Sequence, residues 1–247
     1  MRYCLTEARR RAVLVLLTSL LGRRPTILSE ELIGHEWAPV TRLTLDCVVP
    51  DSGSSVVLKT RRVDGVGHDR PDHLRREQVG LRLAERSGVT PRIVEANDAI
   101  GVMASSDLGP SPDLESILLG HNARAAADAF VGLGRSVGCL HASTISVKAA
   151  HREAVLALGL SDPTEERLGE FPGMNRWHDV EAAASELGFP DAAIARADVA
   201  FVWARLVEPA PFASIVHADL NPTNVVLTEE GVKLGRLRRL VFRPHGH

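Results

Sequence analysis

The chain has 247 residues, 45% hydrophobic and 24% charged, the make-up of a globular protein able to bury one large domain or two small lobes. A net charge of -2 excludes the basic footprint of a nucleic-acid binder and a general pull toward anionic membranes. Three scattered cysteines (Cys4, Cys47, Cys139) with no CxxC spacing argue against a disulfide framework or a zinc site, and for reduced thiols in the cytoplasm.

Taken in order, Arg9, Arg10 and Arg11 precede an apolar run at 12–21 that resembles the basic and apolar regions of a signal peptide. The run is about half of what a bilayer-spanning helix needs. Arg23 and Arg24 also stand where small residues should mark cleavage. Residues 1–39 are therefore expected to form a helical segment packed on the domain, and no membrane span is expected elsewhere.

From Val40 the pattern changes to strands. Residues 40–49 partly alternate, 50–54 have the composition of a turn, and 55–60 read as the return strand. Lys59 is one of only three lysines among 29 basic residues. A Lys ammonium is a compact point charge suited to bridging phosphate oxygens, although an exposed strand position is an equally ordinary place for it. A helix follows at 72–84, with Leu74, Val79, Leu81 and Leu83 near one face. It carries Glu77, with Glu85 just past it; each could simply be a solvated helix charge, and the eighteen residues from Lys59 to Glu77, enough for a loop and the helix start, favour Glu77 of the two.

Two short strands are expected at 92–96 and 100–104, joined at Asn97 and Asp98. The stretch 105–112 is rich in turn formers and separates strand periodicity from helical periodicity, so it reads as a linker. Asp113 or Ser111 can cap a short helix at 114–119. A longer helix is expected at 123–143 on Ala126, Phe130, Leu133, Val137 and Leu140, ending at His141, read as a buried structural histidine. Residues 153–206 read as two or three more helices broken near Pro163, Pro172 and Pro190. Their acidic residues either form solvated faces or attract a cationic substrate. There are no internal repeats and no Walker or Rossmann glycine pattern.

Residues 215–227 form an apolar lead-in, a polar turn held out of helix by Pro222, and an apolar exit. Within it His217, Asp219 and Asn224 have the His-x-Asp-x-x-x-x-Asn spacing of the protein-kinase catalytic loop. There the Asp accepts the proton of the attacking hydroxyl and the Asn holds magnesium on the triphosphate. The plain alternative is a polar turn between two strands.

The ordered set carries a resemblance. Val57-Leu58-Lys59, Arg76-Glu77-Gln78-Val79-Gly80-Leu81, Val89-Thr90-Pro91-Arg92, Gly101-Val102-Met103, Asp107-Leu108-Gly109, Gly138-Cys139-Leu140-His141-Ala142 and the 217–224 loop fall in the order and approximate spacing of one family. From about residue 40 to residue 234 the chain resembles the aminoglycoside phosphotransferase and choline kinase-like family. The resemblance implies an α+β, two-lobed kinase-like fold. A small antiparallel sheet lobe with one helix would occupy 40–104, a hinge 105–112, and a helical lobe 113–247 holding the catalytic loop. It further implies ATP against the Met103 to Leu108 hinge, with Met103, Ala104 and Ser105 as contacts, Lys59 on the phosphates and Glu77 orienting Lys59. Asp219 would be the base and Asn224 a magnesium ligand. The implied reaction is transfer of the γ-phosphate of ATP to a hydroxyl of a small molecule, with no nucleic-acid or membrane partner.

The chain departs from the family after the hairpin at 225–234. The family then places two apolar residues and an Asp, its principal magnesium ligand; here no Asp occurs after Asp219, and an Arg-rich tail follows. The family also continues through more helices, so the C-terminus is expected to be incomplete. Three accounts stay open: a truncated or frame-shifted descendant of an active enzyme, a non-catalytic kinase-like binding protein, or an active enzyme whose metal site uses Glu229 or Glu230. From another class, a helical interaction protein with coincidental motifs would bind no nucleotide.

Overall fold

Helix α1 (Glu7–Leu21) forms where apolar residues recur at helical spacing, and it buries Val13, Leu16 and Leu17. They pack on Leu43, Leu45, Val56, Leu58, Val102 and Ala104, which alternation along three strands brings to one face of a sheet. Burial of each such Leu or Val contributes roughly 1.5–3 kcal/mol. Thus α1 backs the sheet. The computed structural model describes residues 6–33, 40–60, 72–160, 213–217, 220–235 and 240–244.

The sheet has five antiparallel strands, β1 (Ile27–Leu32), β2 (Val40–Val49), β3 (Gly53–Thr60), β4 (Ile93–Asn97) and β5 (Val102–Ser106), in the order β1-β2-β3-β5-β4. Two expectations need correction. The segment 1–39 is not wholly helical: β1 adds to the edge of β2, pairing Glu31 with Arg42. Its central Glu30 and Glu31 suit an edge strand, where charge discourages pairing with other chains, but they hide it from an alternation test. Strand β5 also runs to Ser106, so Ser105 pairs with Val57 inside the sheet instead of opening the linker.

Helix α2 (Asp72–Ala84) presents Leu74 and Leu81 to one cluster and Val79 to another, formed with Val155 and Leu160. The helical lobe contains α3 (Leu114–Leu118), α4 (Ala123–Thr144) and α5 (Lys148–Ala157). Asp113 is the cap of α3, accepting from Ser116 N at 2.9 Å. Helix α4 buries Ala129, Ser136, Leu140 and Thr144, whereas Phe130 is 54% exposed, one position off the expected face. His141 is half-buried and α4 continues past it to Thr144. The helices expected within 161–206, and their acidic residues, lie outside the described residues.

Two small hairpin-like sheets complete the lobe. Strand β6 (Ala213–His217) pairs with β9 (Leu240–Pro244), a strand in what reads by sequence as an Arg-rich tail, and β7 (Val225–Thr228) pairs with β8 (Gly231–Leu234). The β7–β8 hairpin fastens the lobes together. Leu227 N donates to Pro112 O at 2.9 Å and Leu234 N to Val89 O at 2.7 Å. One core cluster accordingly joins Leu74, Leu81 and Met103 of the sheet lobe to Leu114, Leu140, Ile215, Val225 and Leu234.

Candidate active site

The face of the sheet opposite α1 is free to line a cleft, and strand register decides which side chains reach it. Lys59 lies across from Val40 and Met103, one cross-strand row. Two residues along, Val57 lies across from Arg42 and Ser105. Both rows face a cavity of about 510 Å³ between the lobes, whose other walls include Leu81, Leu108, Asn221, Thr223, Asn224 and Gly235. Ala104, between Met103 and Ser105, turns its side chain to α1 and is fully buried. Of the three expected hinge residues, two therefore present side chains to the cleft and one does not.

Lys59 forms an ion pair with Glu77 of α2. The carboxylate side chain is 3% exposed and the lysine 23%, so the ammonium remains at the cleft surface while its partner sits behind it. Of the two candidate glutamates, Glu77 is the one paired with Lys59. Glu85 is exposed and lies 3.7 Å from Arg92, away from Lys59.

On the opposite wall, β6 delivers the polar loop. Ile215 N donates to the fully buried Thr144 Oγ1 at 3.1 Å, and that hydroxyl donates to Leu140 O at 2.7 Å, which fixes β6 against α4. His217 is buried with Nε2 3.4 Å from Gly235 O, so it links the loop to the end of β8. Asp219 lies outside the described residues. A single 3-10 turn (Pro222–Asn224), capped by Asn221, brings Asn224 into the cleft lining at 6% exposure.

Sequence reasoning assigned nothing to Arg42 and no role to Asp107, yet both line the cleft. Asp107 accepts from Arg42 Nε at 2.7 Å, Ser55 Oγ at 2.7 Å and Gly109 N at 3.0 Å. Burial alone would raise the carboxyl pKa, but the hydrogen bonds from Arg42, Ser55 and Gly109 and the charge of Arg42 hold it below the ordinary carboxylate value. No sequence signal marks this pair, because only the register of β2 and β5 on either side of β3 brings positions so far apart together.

A magnesium site needs several oxygen donors, usually including carboxylates. Among the described residues no group of three His, Cys, Asp or Glu side chains is placed to hold a metal. Asn224 offers one neutral oxygen. Glu229 and Glu230 are exposed in the β7–β8 turn and do not line the cleft, and Glu230 lies 3.0 Å from Lys233, so neither stands with Asn224. Cys47 and Cys139 are free thiols, and among the described residues no helix is long and apolar enough to cross a membrane.

No protein-family model matches the chain. No curated protein matches it in sequence. Solved structures do match in fold. Choline kinase LicA from Streptococcus pneumoniae superposes with a TM-score of 0.52 at 12% identity, over 96% of this chain and 71% of that one. A structure of LicA in complex with AMP gives 0.53 at 15% identity, over 95% and 70%. The gentamicin-APH(2″)-IIa complex gives 0.53 at 12% identity, over 98% and 73%. The chain thus has the two-lobed, kinase-like α+β fold of choline kinase and aminoglycoside phosphotransferase structures.

Proposed function

We propose that the chain is a small-molecule phosphotransferase in design, binding ATP in the interlobe cleft and directing its γ-phosphate to a hydroxyl of a small substrate in the cytoplasm. The observation that carries this reading is the Lys59–Glu77 pair, a lysine held at a cleft wall by a buried carboxylate, in a cavity that Asn224 also lines. The matched LicA structure in complex with AMP supports a nucleotide as the ligand.

In this reading Lys59 attracts the phosphates and Glu77 keeps it from folding back to solvent. Met103 and Ser105 meet the nucleoside with their side chains, and Ala104 with its backbone alone. Asp219 accepts the hydroxyl proton, and Asn224 would hold one position on a metal. When bound, magnesium supplies charge neutralisation on the triphosphate, where most of the acceleration of phosphoryl transfer arises. With Asn224 as the one assigned donor among the described residues, and no Asp beyond Asp219, we propose that transfer by this chain is impaired.

That same donor set favours a second reading, a kinase-like protein that binds nucleotide without catalysis. An interaction protein with coincidental motifs binds none. Titration with ATP, with and without magnesium, while following thermal unfolding separates them. A saturable rise in Tm supports either nucleotide reading, and release of labelled γ-phosphate to a hydroxyl acceptor then distinguishes enzyme from binder. No shift at millimolar ATP overturns both.

A further inference from the structure

A second charged pair in the cleft is unused by the phosphate-handling residues. Besides the bonds already given, Arg42 donates from Nη2 to Asp107 Oδ1 at 3.2 Å and to Gly109 O at 3.0 Å, and from Nη1 to Glu31 at 2.8 Å. Asp107 N donates to Ser52 Oγ at 3.0 Å. Strands β1, β2 and β3 therefore converge on 107–109, the first residues to leave β5. Gly109 has both its N–H and its carbonyl engaged, at a left-handed φ of 82°.

The Asp107 side chain is 4% exposed and that of Arg42 18%, so the fork is largely removed from water. A buried pair of this kind contributes little net stability compared with apolar packing, and its best-attested use is to specify one geometry. The geometry specified here is a cleft wall, because Leu108, Gly109 and Pro110 line the cavity.

Charge also orients a ligand along the cleft. The Lys59 ammonium, with the one carboxylate of Glu77 behind it, stands in one row, whereas the lining around Arg42 and 107–109 has three carboxylates (Glu31, Asp107, Asp113) against one guanidinium. Phosphates are drawn to the first and repelled from the second. The uncharged nucleoside end then lies against 107–109.

Resting on the nucleotide reading above, we propose that Arg42 is a positioning residue for the nucleoside end of the ligand. With Asp107 it fixes the wall at 107–109, so nucleoside affinity depends on the pair and phosphate affinity does not.

The test is calorimetric titration of the full chain with adenosine and, separately, with inorganic triphosphate. The variants are Arg42→Met, Asp107→Asn and their double. Arg124→Met serves as control, since Arg124 pairs with Asp128 on the exposed face of α4. Titrations run at a temperature where thermal unfolding shows every variant folded. Should the neutral variants unfold, Arg42→Lys keeps the charge without the fork and should show the same loss. Each single substitution should lower adenosine affinity by about tenfold or more, and the double no further than the worse single. Triphosphate affinity and the Arg124 variant should stay within about twofold of the unaltered chain. Retained adenosine affinity in folded variants overturns the inference. So does an equal loss for both ligands, which would mean general collapse of the cleft. If the unaltered chain binds neither ligand, the nucleotide reading itself falls and takes this inference with it.

Discussion

Lys59 and Asp107 each pair with an opposite charge, yet they make different demands on the protein. Lys59 keeps its ammonium at the cleft surface, so its substitution should be read first in ligand affinity. Charge-assisted phosphate contacts contribute roughly 1.5–3 kcal/mol, so Lys59→Met should weaken ATP binding about tenfold or more. Lys148→Met, on α5 and outside the cleft lining, should not; equal losses measured by fluorescence titration would return Lys59 to the role of a strand surface residue. Asp107 should be read in acid stability. Its folded pKa lies below the unfolded value of about 3.9, so its contribution is fully present above that pH and fades as pH falls through the folded value. Asp107→Asn should therefore lower the urea midpoint near neutrality and show a shallower acid limb below about pH 4. A parallel shift at every pH would mean the carboxylate charge is not what the fold uses.

At the scale of elements, α4 offers a sharper test than any single contact. A Cβ on Gly132 would stand 2.5 Å from Val232 Cγ2 of β8, and Val has little χ1 freedom to move aside. Gly132→Ala should push α4 from the β7–β8 hairpin and cost about 1–3 kcal/mol. Gly134 has nothing within 4 Å, so Gly134→Ala should instead stabilise by about 0.5–1 kcal/mol, read by denaturant unfolding. The same elements show what was legible in the sequence. Helix α2 and strand β3 were, because periodicity and a lone lysine mark them, and the eighteen-residue spacing favoured Glu77 over Glu85. Strand β1 was not, since an edge strand satisfies only one neighbour and tolerates Glu30 and Glu31. Strand β9 was hidden by arginines around Leu240, Val241 and Phe242, a short apolar run that needs β6 beside it to become a strand. Phe130 misled because helical spacing identifies a stripe but not its last degree of rotation. Arg42 could not be found at all: its partner is joined to it by sheet register, which one sequence does not display.

At the scale of the whole molecule, the core shared by both lobes takes in the β7–β8 hairpin, and the end of β8 is where fold and chemistry part. Gly235 follows β8, lines the cleft, and receives His217 at its carbonyl. It occupies the stretch where the resemblance calls for a carboxylate, and this chain has none there. If ATP binds to Lys59 without a metal carboxylate behind it, magnesium and ATP should be nearly uncoupled on the protein. ATP affinity should then change by less than about fivefold between magnesium and a chelator, the lower edge of ordinary linkage between two ligands. Gly235→Asp supplies the missing charge next to Asn224. Its Cβ would stand 3.1 Å from Val226 Cγ2 and 3.3 Å from Leu108 Cδ1, both side-chain ends, so the neighbours need to yield by only a few tenths of an ångström. In that variant magnesium should raise ATP affinity beyond the fivefold edge, and Asn224→Ala should abolish the gain. Gly235→Ala separates charge from crowding, because it introduces the same Cβ and no carboxylate, and should leave the coupling weak. Strong magnesium dependence in the unaltered chain would show that its donors are already sufficient and that the impairment proposed for transfer is wrong.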